Sequence, residues 1–226
     1  MRRLADEFDI YSQVGRGTVV LARLRAGRGP GVVSRRFEIG GVSVPKSGET
    51  ACGDSWQAYE TPDGALFVVA DGLGHGIDAG EASRAAVAVV DPRSGSSLPT
   101  VLERMHDGLR HTRGAAAAVA DLRPGLLRFA GIGNIAATIF RNGTVRHAVS
   151  TNGTLGHVAR HFREYSYPWE SDAVLVIHSD GLGTHWSLDE YPGIRRRYPT
   201  VAAAVLYRDH SRQRDDVTVV VGRERA

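Results

Sequence analysis

At four places far apart in this 226-residue chain, an aspartate closes or opens an apolar, strand-like run. Asp71 follows Leu66-Phe67-Val68-Val69-Ala70 and precedes Gly72, and Asp180 follows Val174-Leu175-Val176-Ile177-His178-Ser179 and precedes Gly181. Asp215 and Asp216 stand directly before Val217-Thr218-Val219-Val220-Val221, and Asp54 lies between Gly53 and Ser55 at the head of another strand-like run. A carboxylate at the mouth of a core is costly unless it is paired or binds a cation. Several converging carboxylates repel one another, and a divalent cation resolves that repulsion. Carboxylate, carbonyl and water ligands suit magnesium and manganese, and a glycine after Asp71 lets the backbone carbonyl approach an ion. Two such ions held about 3.5–4 Å apart activate water against a phosphate ester. An Asp-Gly pair is also a common turn signal, as Asp63-Gly64 is here. Spacing alone therefore leaves a turn or cap reading open beside the metal reading.

The order of elements narrows the fold. Strand-like runs occur at residues 37–44, 55–60, 65–70, 115–121, 125–133, 135–140, 144–147, 173–178 and 217–221. The Asn142-Gly143 pair predicts a hairpin turn. An Ala/Val-rich helix is expected over about 77–90, and one over 98–111 from the spacing of Leu98, Val101, Leu102, Met105 and Leu109. A last helix is expected over about 200–210. Strand runs interrupted by paired helices predict an α+β sandwich rather than alternating βαβ units. Residues 1–24 read as a helix end followed by a β-hairpin, 25–34 as a Gly/Pro/Arg linker, and 35–226 as the main domain.

Bulk properties exclude several classes. No run approaches the 18 or so apolar residues of a membrane span. The first residues carry acids and no signal-type apolar segment. A single cysteine rules out an internal disulfide framework and fits a reducing cytoplasm. The net charge is +3, and basic clusters such as Arg195-Arg196-Arg197 lack interleaved aromatics, so they read as solvated faces and not as a nucleic-acid interface.

The motifs carry a family resemblance. Cys52-Gly53-Asp54-Ser55, Ala70-Asp71-Gly72-Leu73-Gly74-His75-Gly76, Gly131-Ile132-Gly133-Asn134-Ile135, Asn152-Gly153-Thr154-Leu155-Gly156, His178-Ser179-Asp180-Gly181-Leu182 and Asp215-Asp216-Val217-Thr218 occur in the order found in the 2C-type metal-dependent protein phosphatases. More closely, the chain resembles their SpoIIE/RsbX-like branch. The resemblance implies an αββα sandwich of two mostly antiparallel sheets flanked by helices. It implies two divalent ions, Mn2+ or Mg2+, bound by Asp54, Asp71, the Gly72 carbonyl, Asp180 and Asp215. Asp71 would bridge the ions, and Asp71, Asp180 and Asp215 would act through metal-activated water. It further implies a serine/threonine phosphatase whose partner is a phosphorylated STAS-domain regulatory protein in a sigma-factor or stressosome pathway. Residues 1–24 resemble the end of an RsbT-like, histidine-kinase-type ATPase domain. The segments that bind nucleotide in that family are missing, so no ATP binding is expected.

The remaining candidates have plainer readings beside the functional ones. His75 is a general acid for the leaving oxygen, a donor behind the metal ligands, or a loop histidine. Of the Asp215-Asp216 pair the first matches the ligand, and Asp216 reads as ordering its loop. His178 reads as a satisfied core histidine and Asn134 as structural. Cys52 lacks the glycine cradle and arginine of a thiol phosphatase. Two rival functions stay open: a catalytically silent binding module, and a hydrolase of small phosphate esters. Against the former, all four ligand positions keep aspartate; against the latter, no Walker-type loop occurs.

Overall fold

The structure is a computed structural model and describes residues 2–24, 36–61 and 63–225. Twelve strands and three helices occur among these residues. A first hairpin pairs β1 (Glu7–Gln13) with β2 (Gly17–Arg23). The main body contains β3 (Phe37–Val44), β4 (Asp54–Thr61), β5 (Gly64–Gly72), α1 (Ile77–Ala88) and α2 (Leu98–Gly108). It continues with β6 (Ala115–Arg123), β7 (Leu126–Ile132), β8 (Ala136–Arg141), β9 (Thr144–His147), β10 (Tyr165–Pro168), β11 (Val174–His178), α3 (Pro199–His210) and β12 (Val217–Glu224).

Two five-stranded sheets, ordered β10-β7-β6-β5-β4 and β3-β12-β11-β8-β9, carry antiparallel pairing throughout. One core lies between them, filled by Phe67, Val69, Phe129, Leu175, Ile177 and Val220 among others. A second joins the outer face of the first sheet (Val68, Ala70, Ala117, Val119) to α1 and α2 through Ala82, Ala86, Leu102 and Met105. A third joins the other sheet's outer face (Val176, Val219, Val221) to α3 through Val201, Val205 and Leu206. These strands are buried on both faces, so they read as continuous apolar runs instead of alternating ones. The αββα sandwich implied by the motifs is the observed fold.

Local chemistry explains the boundaries. The Ser97 side chain accepts the Thr100 N–H at the start of α2, with a proline in its first turn. Asn142 and Gly143, at φ 44° and 79°, make the tight β8–β9 turn.

Three features depart from the expectations. Residues 2–4 are turns, not a helix end. The short β10, closed by Pro168, pairs with β7 at a sheet edge, where proline is tolerated. Two single-turn 3-10 segments, Leu188–Glu190 and Ile194–Arg196, precede α3. The expected linker at 25–34 lies outside the described residues.

The hairpin packs on α3. Tyr11 is buried edge-on against Tyr191. The Asp9 carboxylate accepts the Tyr198 N–H at 2.8 Å, where α3 begins, and pairs with Arg197. At the other end Arg16 pairs with Glu190 and lies 5.2 Å from the Tyr191 ring centroid.

Candidate metal centre

The period-two alternation of strands decides where the aspartates point. On β5, Phe67 and Val69 face the core between the sheets, so Asp71 continues that face; on β4, Trp56 and Ala58 do so, and Asp54 shares their phase. Asp54 and Asp71 are direct partners in the β4–β5 ladder. From the opposite sheet, Leu175 and Ile177 put Ser179 on the inner side, just past β11. Val220 likewise puts Thr218 and Asp216 there. Both sheets thus deliver acidic or hydroxyl side chains to one end of the sandwich.

A hydrogen-bond relay joins the two sheets. Ser179 Oγ donates to Asp54 Oδ2 at 2.6 Å and accepts the Thr218 N–H at 2.9 Å. Asp216 Oδ1 accepts the Lys46 N–H at 2.9 Å, and Asp215 Oδ1 accepts the Asp216 N–H at 2.9 Å. Asn134 Nδ2 donates to Asp180 Oδ2 at 2.7 Å. Two buried oxygens, Asp54 Oδ1 and Asp216 Oδ2, have no hydrogen-bond partner.

The electrostatics report the same convergence. Burial first, then the charges of Asp54, Asp180 and Asp215, push the Asp71 carboxyl up from its ordinary 3.8 to about 9. Burial also raises Asp54, to about 6, against the opposing hydrogen bonds of Ser179 and Thr218. The cluster is therefore short of positive charge. Among the described residues, no three His, Cys, Asp or Glu side chains close on a single ion position. Mutually repelling carboxylates surround Asp71 without enclosing one point. The unpartnered Asp54 and Asp216 oxygens and the purely oxygen donor set fit hard divalent cations such as Mg2+ or Mn2+.

Two glycines permit this geometry. A Cβ on Gly72 would enter the shell of the Ala79 carbonyl oxygen of α1, and one on Gly181 would collide with the Asp216 carbonyl oxygen. The loops carrying Asp71 and Asp180 can pack so tightly only without side chains there. The end of α3 then ties the loops together. Gly183 donates its N–H to the His210 carbonyl, and Arg212 donates to that of Gly181.

Asp54, Asp180 and Asp215 thus lie within electrostatic reach of Asp71, and the buried Asp216 lies within reach of Asp54. His75 is exposed, and its Nδ1 is 2.6 Å from Glu49 Oε1. His178 is a core histidine, its pKa lowered by burial, with Nδ1 at the Ser179 carbonyl. Cys52 is unsuited to nucleophilic attack, since burial pushes its thiol up to about 12. Asn134, expected to be structural, holds one oxygen of Asp180 through its amide. Ser179 drew no attention in the sequence. The period-two phase of β11 was the signal that pointed inward to it.

The profile of the family described as Stage II sporulation protein E (SpoIIE) matches residues 61–224. The chain belongs to the SpoIIE family. Within this family's reach, the phosphoserine phosphatase RsbX of Bacillus subtilis is 26% identical over 140 residues, 61% of this chain and 70% of RsbX. A protein solved in work on the bacterial stressosome as a modular system adapted to control secondary messenger signalling is 28% identical, with a TM-score of 0.77 over 84% of this chain and 100% of that one. RsbX in complex with magnesium superposes with a TM-score of 0.70 at 22% identity, over 84% and 96% of the two chains. The catalytic domain of PstP with two manganese ions gives 0.65 at 17%, over 84% and 99%. These last two likenesses show the 2C-type fold. Membership of the SpoIIE family, with the RsbX relationship, makes the chain a protein phosphatase.

Proposed function

We propose that this protein is a serine/threonine phosphatase dependent on two divalent ions, Mn2+ or Mg2+, and that its substrate is a phosphorylated STAS-type regulatory protein in a sigma-factor partner-switching or stressosome pathway. The observation that carries the metal part is the Asp54–Asp71 pair, set opposite each other with Asp180 and Asp215 within electrostatic reach. Asp54, Asp71, the Gly72 carbonyl, Asp180 and Asp215 would hold the ions, with Asp216 beside Asp54. When bound, the ions supply an activated water and neutralise charge on the phosphoryl oxygens.

The chain's own residues do the positioning. Ser179 fixes one oxygen of Asp54, leaving the other free to ligate. Asn134 fixes one oxygen of Asp180. Holding ligands in one rotamer before the ion arrives lowers the cost of binding it. The substrate part rests on the relationship to RsbX and to the stressosome protein.

The test is hydrolysis of p-nitrophenyl phosphate and of a phosphoserine-bearing STAS protein, in Mn2+ and in EDTA. Activity is expected only with metal, and Asp71→Asn is expected to lower it by at least about 100-fold, with circular dichroism unchanged. Metal-dependent turnover retained in that variant overturns the mechanism.

A further inference from the structure

Two segments that neighbour the loops of the carboxylate cluster are poor in acidic residues, and the acids that flank them, Asp107 and Glu164, pair with Arg110 and Arg128. Residues 108–120 and 141–163 contain no aspartate or glutamate. They meet in space: His157 Nε2 lies 2.9 Å from the Arg113 carbonyl, and the Gly156 N–H donates to His106 Nδ1 at 3.1 Å. Phe162 packs edge-on against His106, pinning the second segment onto the end of α2. Arg160, His161 and Arg163, on either side of Phe162, are exposed. Among the described residues, neither Arg160 nor Arg163 makes an ion pair or hydrogen bond, whereas Arg113 is held by Asp78.

This platform borders the centre on two sides. Leu73, two residues past Asp71, donates its N–H to the Gly114 carbonyl. Gly133, next to the Asp180-orienting Asn134, donates to the Thr151 carbonyl. Exposed apolar side chains add contact area: Val158 is 65% and Leu73 51% accessible. Uncompensated arginines around a small apolar patch, on the rim of a site that admits phosphate esters, match an acidic protein surface.

Resting on the protein-phosphatase reading above, we propose that Arg160 and Arg163, with Val158 and Leu73, form the docking surface for an acidic segment flanking the phosphorylated residue of the substrate. Charge at the rim attracts and aligns the substrate while the carboxylate centre, a separate set of residues, performs the hydrolysis. Selectivity for acidic flanks therefore resides in the 155–163 segment and not in the metal ligands.

Two fluorescein-labelled phosphoserine peptides of equal length, one flanked by glutamates and one by lysines, test this on the full chain in EDTA by anisotropy. At low salt the glutamate-flanked peptide is expected to bind about tenfold more tightly. The Arg160→Glu/Arg163→Glu double variant is expected to abolish or invert that preference, and the remote Arg93→Glu to keep it. With Mn2+, the same double variant should raise KM for the acidic phosphopeptide about tenfold and leave kcat on p-nitrophenyl phosphate within about twofold. Equal binding of the two peptides, or a preference that survives in the double variant, overturns the docking surface. Peptide preference without any hydrolysis of p-nitrophenyl phosphate would instead overturn the enzymatic reading and leave the surface standing.

Discussion

Asp54 and Asp71 stand directly opposite each other across the β4–β5 ladder, with both side chains on the inner face of the sandwich. Like charges so placed destabilise a sheet. Without a cation they hold protons that the unfolded chain gives up. Both folded-state pKa values are raised, to about 6 and about 9, so this contribution to stability is fully present below about pH 4 and is lost as pH rises towards 9. Metal binding needs the ionised carboxylates and so gains in the same range. The gap in melting temperature between Mn2+-loaded and EDTA-treated protein is expected to widen between pH 5 and pH 8. At a hundredfold excess over Kd it corresponds to about 2.7 kcal/mol, or several degrees. An equal gap at both pH values, measured by calorimetry, would show that these carboxylates do not bind the ion.

Asn134 is exposed, and its amide touches Asp180 at 2.7 Å. Asn134→Ala is expected to lower metal affinity or activity about 10–100-fold with little change in melting temperature. The Mn2+ concentration giving half-maximal activity is the measurement to make. An unchanged metal titration would return Asn134 to a structural role.

Tyr11 is the hairpin's one buried side chain among the described residues and packs in the core that holds α3. Its hairpin also reaches Glu190 and Tyr198, around the helix whose end ties the Asp180 and Asp215 loops together. Tyr11→Ala is expected to destabilise this docking by about 3 kcal/mol. Hydrogen exchange should then accelerate across β1 and β2 but not in β5 or β11. Unaltered protection of the hairpin amides would mean that the polar contacts alone hold it.

Much of the architecture was legible because it rests on local patterns. The doubly buried strands, the 3.6-residue spacing of α2 and the Asn142-Gly143 turn each announce themselves within a dozen residues. β10 escaped because four residues ending in proline carry no such signature; only an edge position beside β7 makes them a strand. The 3-10 segments before α3 escaped because a single turn has no periodicity to detect.

The candidate site divides along the same line. That aspartates sit at strand ends is written in the chain, because a strand's end and its polar terminator are neighbours in sequence. Which of them meet is not. Asp54 and Asp71 are joined by a ladder register, and Ser179 reaches Asp54 across 125 positions. His75, adjacent in sequence to the Asp71 motif, turns instead to Glu49. Likewise, the platform of Arg160 and Arg163 exists because the 155–163 segment folds back onto the end of α2. The sequence by itself determined the elements and the supply of oxygen ligands, since both follow from short-range sterics and hydrophobic spacing. Only the tertiary structure decided which carboxylates share an electrostatic field, because that depends on how two sheets register and pack, and local sequence does not encode distances between residues a hundred positions apart.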